Sequence, residues 1–301
     1  MPRPIVVCKK YAILVHRWMG VLFCVLFAAW FVSGIVMMYW DFPQVRAEDR
    51  WRKAAGLDAS QIRVTPVEAL RQLHTGDTPA AVKLDTLEQQ PVYRFAFRGR
   101  TETVGADTGV PVEDVTGDTA LRIAATWVDQ DPAAARVDFV RELDQWTVLP
   151  AIRRQLPFWK ATFPDGQEVY VSQQTGAVAQ HTTRGSRMGA YLGAIPHWLY
   201  FSALRKYSAE WRQTVIWLSA FGFVMNLLGL VVGVWMYSPA KRYRLRSGAS
   251  SIPYSGQKHW HTMLGLVFGL FALTWVLSGM FSLNPLDWSR GTAAEGPARA
   301  L

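Results

Sequence analysis

The sequence predicts a membrane α-helical bundle of three spans and an interfacial helix, with an extracytoplasmic α+β domain inserted between the first two spans. Three observations favour this architecture. Long apolar runs lie near both ends of the 301-residue chain, one of them recurs as an internal repeat, and the polar middle alternates between helical and strand-like patterns. Each apolar run reaches the roughly 20 residues that a helix needs to cross the ~30 Å hydrocarbon core of a bilayer.

The repeat joins the first and third spans. The run HRWMGVLFCVLFAAWFVSGIVMM from His16 aligns without a gap on HTMLGLVFGLFALTWVLSGMFSL from His261. Each histidine stands four residues before a glycine, Gly20 or Gly265. The same register pairs Trp30 with Trp275, Ser33 with Ser278 and Gly34 with Gly279. A shared apolar composition alone would not give matches at fixed offsets, so the two helices are interpreted as copies of one repeat.

Basic residues set the predicted orientation. The net charge of +9 is concentrated in two blocks beside the spans. They are Arg3, Lys9, Lys10 and Arg17 before the first span, and Lys241, Arg242, Arg244, Arg246 and Lys258 between the second and third. Because cytoplasmic loops next to spans are rich in Lys and Arg, both blocks are expected in the cytoplasm. This distribution indicates a membrane partner and excludes a nucleic-acid-binding protein.

The chain therefore divides, in order, into eight predicted parts. These are a cytoplasmic basic N-terminus (1–17), transmembrane helix 1 (18–40), a periplasmic α+β tandem (41–184), an interfacial helix (185–206), transmembrane helix 2 (211–237), a cytoplasmic basic loop (238–260), transmembrane helix 3 (261–283) and a periplasmic tail (284–301). A cleaved signal peptide is the alternative for the first run. That run is longer than a signal core and lacks a small-x-small cleavage site, so a retained anchor is expected.

The tandem region carries two similar α+β units of about 60 residues by its turn and capping pattern. Thr65, with Pro next and Glu68 three residues on, predicts a helix start. Strand-like runs follow, and a second helical stretch after Thr119 repeats the order. Thr108-Gly109 and Thr175-Gly176 align as the ends of the two hairpins, and Pro164-Asp165-Gly166 predicts a turn.

Small and polar residues within the spans predict helix contacts. Gly229 and Gly233, four apart in the second span, and Gly265 and Gly269 in the third are expected to allow close helix packing. Asn226, near mid-depth, is expected to hydrogen-bond a neighbouring helix, with a role near a cofactor as the alternative.

Several function classes lack support. Cys8 and Cys24 lie in the inner flank and in the first span, so no disulfide is expected in the external domain. The sequence has no HExxH, GxSxG, CxxC or nucleotide-binding pattern. Three spans are too few for alternating access by one chain, which disfavours a permease. His74 and His181 are interpreted as surface residues of the external domain.

His16 and His261 are the main candidate site residues. A single histidine at the mouth of a span is most often an interfacial residue with no ligand role. Two helices of one orientation carrying imidazole at the same depth, one turn from glycine, instead indicate a pair of axial ligands for haem iron. His197, between Pro196 and Trp198 in the interfacial segment, is a third candidate, with an unliganded interfacial residue as the alternative.

These motifs carry a family resemblance. The HRWMG start, the Trp-x-x-Ser-Gly pattern of both spans, the paired units closing on Thr-Gly and His197 before the second span resemble the PepSY-associated transmembrane proteins. Within that group the chain is similar to haem-containing ferric-siderophore reductases of the bacterial inner membrane, over about residues 10–285.

The resemblance implies a PepSY tandem above a bundle that holds two b-type haems, each with two histidine ligands, and electron transfer to a ferric siderophore. It assigns His16 and His261 as inner ligands and His197 as an outer one, with His259 the weaker candidate because the repeat gives it no partner. Arg17 at the inner side and Arg205 or Lys206 at the outer side are expected partners of the haem propionates, with a headgroup anchor as the alternative for Arg17. The electron donor stays open between a quinol, a flavoprotein and a small reductant.

One departure and one alternative remain. Proteins of this kind usually have a fourth span, so the sequence is expected to be either a fragment or a shortened member. The alternative function is a non-enzymatic membrane-anchored PepSY module that binds a peptide, a protease or a transport partner, in which His16 and His261 are interfacial residues.

Overall fold

The computed structural model describes residues 4–53, 56–246 and 248–285. Its α-helices are α1 (Pro4–Met37), α2 (Ala47–Lys53), α3 (Pro66–Gln72), α4 (Gly117–Val128), α5 (Pro150–Arg153), α6 (Arg184–Leu192), α7 (Ala194–Trp198), α8 (Ser202–Arg205), α9 (Ser208–Met236) and α10 (Gln257–Ser282). Its strands are β1 (Ala81–Leu87), β2 (Gln90–Phe97), β3 (Arg100–Gly105), β4 (Arg136–Val140), β5 (Phe158–Thr162), β6 (Glu168–Ser172), β7 (Val178–Thr182), β8 (Tyr243–Leu245) and β9 (Gly248–Ser250). The 3₁₀ turns are Ala59–Gln61 and Pro132–Ala134. Most of the predicted tail, 286–301, lies outside the described residues.

The described chain forms two units. The helical unit contains residues 4–32 and 207–285, and the α+β unit contains 33–206. Three helices are long and apolar enough to cross a membrane, namely Ile5–Met37, Ser208–Met236 and Gln257–Ser282. The membrane helices and the antiparallel α+β region confirm the predicted fold class.

The first helix begins earlier than the predicted span. Pro4 stands at its first position, where a missing N–H costs no helical hydrogen bond, and no proline or glycine interrupts the sequence before Gly20. At about 1.5 Å per residue its 34 residues span about 50 Å, more than the hydrocarbon core requires. The predicted basic N-terminus is therefore helical from Pro4 onward.

Small residues and one arginine connect the last two membrane helices. A Cβ on Gly233 would lie 3.1 Å from the Leu266 side chain, and one on Gly269 would lie 2.7 Å from that of Leu230. The predicted close packing at these two glycines is confirmed. Arg212 of α9 donates from Nε to the Leu283 carbonyl oxygen at 3.0 Å, which satisfies an orphan acceptor at the end of α10.

Two predictions for these helices are wrong. Asn226 donates from Nδ2 to the Gly222 carbonyl oxygen at 2.8 Å, four residues earlier on its own helix. An acceptor one turn back is always within reach of a helical side chain, whereas a partner on another helix is not. Gly265 has no atom within 4 Å of its Cβ position, so it makes no close helix contact in the described structure.

The α+β unit contains a three-stranded sheet (β1-β2-β3) and a four-stranded sheet (β4-β5-β6-β7), both antiparallel. The repeat predicted at the two Thr-Gly pairs is confirmed. Gly109 and Gly176 both have positive φ, at 72° and 64°, and both donate to the carbonyl four residues earlier. Left-handed backbone of this kind favours glycine. The Thr65 and Glu68 capping box opens α3 as predicted.

The second sheet is covered on both faces. Val169 and Val171 of β6 pack towards α4, while Tyr170 between them lies in a second cluster with Phe42 and Ile195. Successive side chains of a strand point to opposite faces, which explains why every residue of β6 after Glu168 is buried. The Tyr170 hydroxyl lies 2.5 Å from Asp144 Oδ2.

The stretch predicted as one interfacial helix, 185–206, is divided into α6, α7 and α8. Gly193 ends α6 with φ −110° and ψ −93°, and Leu199 ends α7 in left-handed backbone. Ala190, Ala194 and Ile195 of these helices are fully buried against the second sheet. Packing on the sheet therefore breaks the stretch into short segments.

Candidate functional site

The repeat histidines meet within the helical unit. His16 lies on α1 and His261 on α10, and their ring centres are 6.1 Å apart with the planes inclined at 37°. Equivalent positions in the two copies of the repeat thus bring two imidazoles from different helices next to each other.

The remaining membrane helix, α9, orients His16. His16 Nδ1 lies 3.0 Å from the carbonyl oxygen of Met225 on α9. Because a carbonyl only accepts, Nδ1 carries the proton and Nε2 presents the lone pair that a metal requires. Carbonyl contacts of this kind commonly fix the ring of a metal-binding histidine.

Gly229 of α9 leaves the space that the His16 ring occupies. A Cβ at this position would lie 2.8 Å from His16 Cε1, closer than real Cβ atoms approach another atom, and 3.3 Å from Nδ1. Any side chain here would displace the imidazole. Gly229 was predicted to contact a neighbouring helix, and it contacts the candidate ligand on that helix.

One turn further along, the two repeat glycines leave open space. No atom lies within 4 Å of the Cβ position of Gly20 or of Gly265. Both glycine positions are therefore open in the described structure, and Gly265 is exposed.

The donor set fits haem. An imidazole nitrogen binds a transition-metal ion at about 2 Å, and the ring centre lies about 1 Å further out. Two imidazoles on opposite sides of one ion therefore have their ring centres about 6 Å apart, close to the 6.1 Å between His16 and His261. Among the described residues no group of three or more His, Cys, Asp and Glu side chains could hold a metal ion. Two imidazoles suffice only where a macrocycle supplies the remaining ligands.

His197 lies in the α+β unit, on α7, and has a site of similar construction. Its Nδ1 lies 3.2 Å from Ser33 Oγ at the end of α1. A Cβ on Gly34 would lie 3.1 Å from His197 Cε1, so the ring packs directly on the glycine. A hydrogen bond at Nδ1 and a glycine beneath the ring are features that His197 shares with His16.

His259 differs from these three. It lies in the first turn of α10, where its Nδ1 is 3.2 Å from the Tyr254 carbonyl oxygen and its ring meets that of Trp260 edge to face. Its described contacts are with its own loop and helix, whereas His261 faces His16.

The two histidines interpreted as surface residues differ in exposure. His74 is exposed, whereas His181 is partly buried in β7 and its Nε2 lies 2.8 Å from Gln167 Oε1. Burial, reinforced by the nearby Lys53 ammonium, lowers the pKa of His181. The second sheet is covered on both faces, which the strand pattern alone did not reveal.

The cations expected to bind propionates have other described contacts. Arg17 lies over the Trp18 ring at 5.7 Å, and Lys206 pairs with Glu142 at 3.3 Å. Arg205 is 4% exposed and lies 5.0 Å over the Tyr200 ring. Burial lowers the pKa of the Arg205 guanidinium, against the opposing effect of Tyr200. The propionate role stays a prediction.

Sequence reasoning did not identify Met225, or the contacts of Ser33 and Gly34 with His197. A backbone carbonyl has no residue-type signature, so Met225 could not be found. Ser33 and Gly34 could have been, since the repeat preserves them as Ser278 and Gly279 on α10. On α1 this pair contacts His197, whereas no atom lies within 4 Å of the Gly279 Cβ position on α10.

Comparison with known proteins gives one match. The family model described as the PepSY-associated TM region matches residues 13–299. No curated protein and no solved structure matches the chain significantly.

Proposed function

We propose, since the chain belongs to the family of PepSY-associated transmembrane proteins, that it is a haem-containing oxidoreductase of the bacterial inner membrane. It passes electrons across the membrane and reduces Fe(III) in a ferric siderophore. Lowering the charge of the iron weakens its bonds to hard oxygen ligands, which releases it from the chelate.

The observation that carries this proposal is the His16 and His261 pair, whose ring centres are 6.1 Å apart. An interfacial role for each histidine gives no reason for two rings from distant parts of the sequence to face each other. A b-type haem bound between them would carry single electrons by the Fe(III)/Fe(II) couple.

The protein's own residues fix the ligand geometry. The Met225 carbonyl accepts from His16 Nδ1 and so holds the tautomer that presents Nε2, while Gly229 keeps the ring in place. His261 supplies the opposing imidazole. His259, which contacts its own loop, is the weaker candidate.

His197 is proposed as a ligand of a second haem, on the side of the α+β unit. Ser33 and Gly34 hold its ring by a hydrogen bond at Nδ1 and by close packing. Its ligand partner is not among the residues assigned above, so the expected stoichiometry of two haems is a separate prediction from the inner pair.

Orientation follows from charge. The basic blocks before α1 and between α9 and α10 support a cytoplasmic position for these helix ends by the positive-inside rule. The α+β unit is then periplasmic, where a ferric siderophore would reach it. The donor is a quinol, a flavoprotein or a small reductant.

The visible spectrum of the purified full-length protein tests the proposal. We expect a Soret band and the sharp α and β bands of low-spin bis-histidine haem after reduction. His16→Ala and His261→Ala should each remove the same haem while the α+β unit stays folded. His74→Ala, at an exposed position, is the matched control and should leave the spectrum unchanged. Protein from haem-replete cells that shows no haem band would contradict the proposal.

The size of the α+β unit favours a second candidate function. Two antiparallel sheets with their own buried cores form a domain larger than an anchor needs. A PepSY module that binds a peptide, a protease or a transport partner would use this unit alone. In that case His16→Ala and His261→Ala would leave the protein's partner binding unchanged, and no haem would co-purify.

A further inference from the structure

The hairpin between α9 and α10 presents an ordered arginine surface. Strands β8 and β9 pair in the register Tyr243 with Ser250, Arg244 with Ala249 and Leu245 with Gly248. Arg242, Arg244 and Arg246 alternate with Tyr243 and Leu245 along the first strand and its turn. The arginines are exposed and the two apolar residues partly buried. Arg244 lies within β8, Arg242 precedes the strand and Arg246 follows it in the turn, and we call these three exposed residues the arginine face.

The opposite strand leaves this face uncovered. Ala249 is the cross-strand partner of Arg244, and neither it nor its neighbours Gly248 and Ser250 has a side chain long enough to mask a guanidinium. Arg242 is also oriented by its neighbour, because its Nη2 donates to the Tyr243 hydroxyl oxygen at 3.0 Å.

The base of the hairpin is tied to the helix ends. The Ser238 amide donates to the Ser251 carbonyl oxygen at 2.8 Å, which joins the segment leaving α9 to the one entering α10. Ile252, next in sequence, is fully buried. The arginine face is therefore held beside the ends of two membrane helices.

The positive charge of the hairpin is not balanced by acidic residues among the described residues of the helical unit. Glu210 is the one acidic residue among the described residues of the helical unit, and it lies in the first turn of α9, at the far end of that helix from the hairpin. None of the three arginines forms an ion pair with a described residue. An anionic partner from outside the chain would complement them.

We propose that the arginine face binds the phosphate groups of anionic phospholipids. A guanidinium matches two phosphate oxygens with parallel N–H donors, which a lysine ammonium does not. The site is independent of haem and goes beyond the electron-transfer function.

A lipid is favoured over an acidic protein by what surrounds the face. Tyr237 at the end of α9 and Trp260 near the start of α10 are 45% and 66% exposed. Exposed Tyr and Trp at the ends of spans are typical of the membrane–water interface. The arginine face lies between them in sequence and is tied to both helix ends, so we expect it beside the lipid headgroups.

Each basic side chain near an anionic surface contributes about 1 kcal/mol, which is about fivefold in affinity. Replacing all three arginines should therefore weaken binding by about 100-fold. The interaction should also weaken as salt is raised, because exposed charges are screened over about 10 Å at 0.1 M salt.

The test uses the full-length protein purified in a neutral detergent. Short-chain phosphatidylglycerol, phosphatidylcholine and inorganic phosphate are titrated separately, and the lipid-dependent rise in melting temperature gives the apparent Kd. The wild type should bind phosphatidylglycerol at least tenfold more tightly than phosphatidylcholine. Arg242→Gln/Arg244→Gln/Arg246→Gln should lose about 100-fold towards phosphatidylglycerol. Arg244→Gln alone should lose about fivefold, and it decides the matter if the triple variant does not fold.

The matched control removes three charges elsewhere. Arg63, Arg71 and Arg98 are exposed in the α+β unit, so Arg63→Gln/Arg71→Gln/Arg98→Gln has the same net charge as the triple variant and should bind like the wild type. An equal loss in this control would overturn the proposal. Unchanged phosphatidylglycerol affinity in the triple variant would also overturn it, as would competition by millimolar phosphate. A triple variant that keeps its lipid affinity but is no longer reduced by an acidic donor protein would have the same consequence.

Discussion

Gly229→Ala tests the arrangement of the candidate ligands at one atom. The added Cβ would lie 2.8 Å from His16 Cε1, whereas carbon atoms in contact are about 3.5–4.0 Å apart. The ring must therefore move by about 0.7–1.2 Å or the helices must separate. His16 cannot turn away freely, because its Nδ1 is bonded to the Met225 carbonyl one turn earlier on the same helix as Gly229.

The expected cost follows from these contacts. Overpacking a helix interface destabilises by about 1–3 kcal/mol, and loss of the Nδ1 hydrogen bond alone would account for about 1 kcal/mol. Thermal unfolding of haem-free protein in detergent measures this directly. In haem-loaded protein, a ring displaced by about 1 Å should bind iron poorly, so the haem-to-protein ratio should fall.

Gly279→Ala is the control, since no atom lies within 4 Å of that Cβ position on α10. It should be neutral or slightly stabilising, as alanine is the better helix former by about 1 kcal/mol. Equal melting temperatures and equal haem content for Gly229→Ala and wild type would refute the claim that the His16 ring needs a glycine at position 229.

Three further predictions concern the α+β unit. Ser33→Ala removes the hydroxyl at Nδ1 of His197, so the midpoint potential of the haem proposed there should shift, while Ser33→Thr should restore it; a potential that ignores both changes would count against this role. Burial alone would raise the pKa of Asp85, but Arg94 and Lys83 outweigh it and the pKa is lowered. Asp85 therefore stabilises the fold above its unfolded pKa of about 3.9, and this contribution is lost as the pH falls through the lower folded value. Asp85→Asn should accordingly be less stable than wild type at pH 7, with the gap in unfolding free energy closing below about pH 4, and a gap independent of pH would refute the linkage. Tyr170→Phe deletes a hydroxyl from a fully buried ring and leaves its carboxylate partner short of a donor, which should cost about 1–3 kcal/mol in denaturant unfolding; a loss under 0.5 kcal/mol would contradict it.

Local patterns predicted much of the fold because their causes are local. The capping box at Thr65, the two Thr-Gly turns and the length of the apolar runs each depend on residues close in sequence. The facing of His16 and His261 was also predicted, since the repeat places both at one depth.

The predictions that were wrong concern contacts with residues distant in sequence. Asn226 satisfies its side chain on its own helix, and Gly265 faces open space, although both have sequence patterns of helix contacts. Gly229 and Gly233 are identical in pattern, yet one meets an imidazole and the other a leucine. Only the arrangement of three helices decides which. The same holds for the interfacial stretch, which breaks at Gly193 to pack on a sheet.

The burial of Phe42 bears on how the protein is made. The core of the first sheet closes among residues 62–106, all contiguous in the chain. The second core joins Phe42, just after the first span, to Ile195. A ribosome can therefore complete the first of these cores early, whereas the second waits for more than 150 further residues to emerge. During that interval Phe42 and its apolar neighbours stay uncovered, so this segment is where a chaperone or a protease would engage the nascent chain.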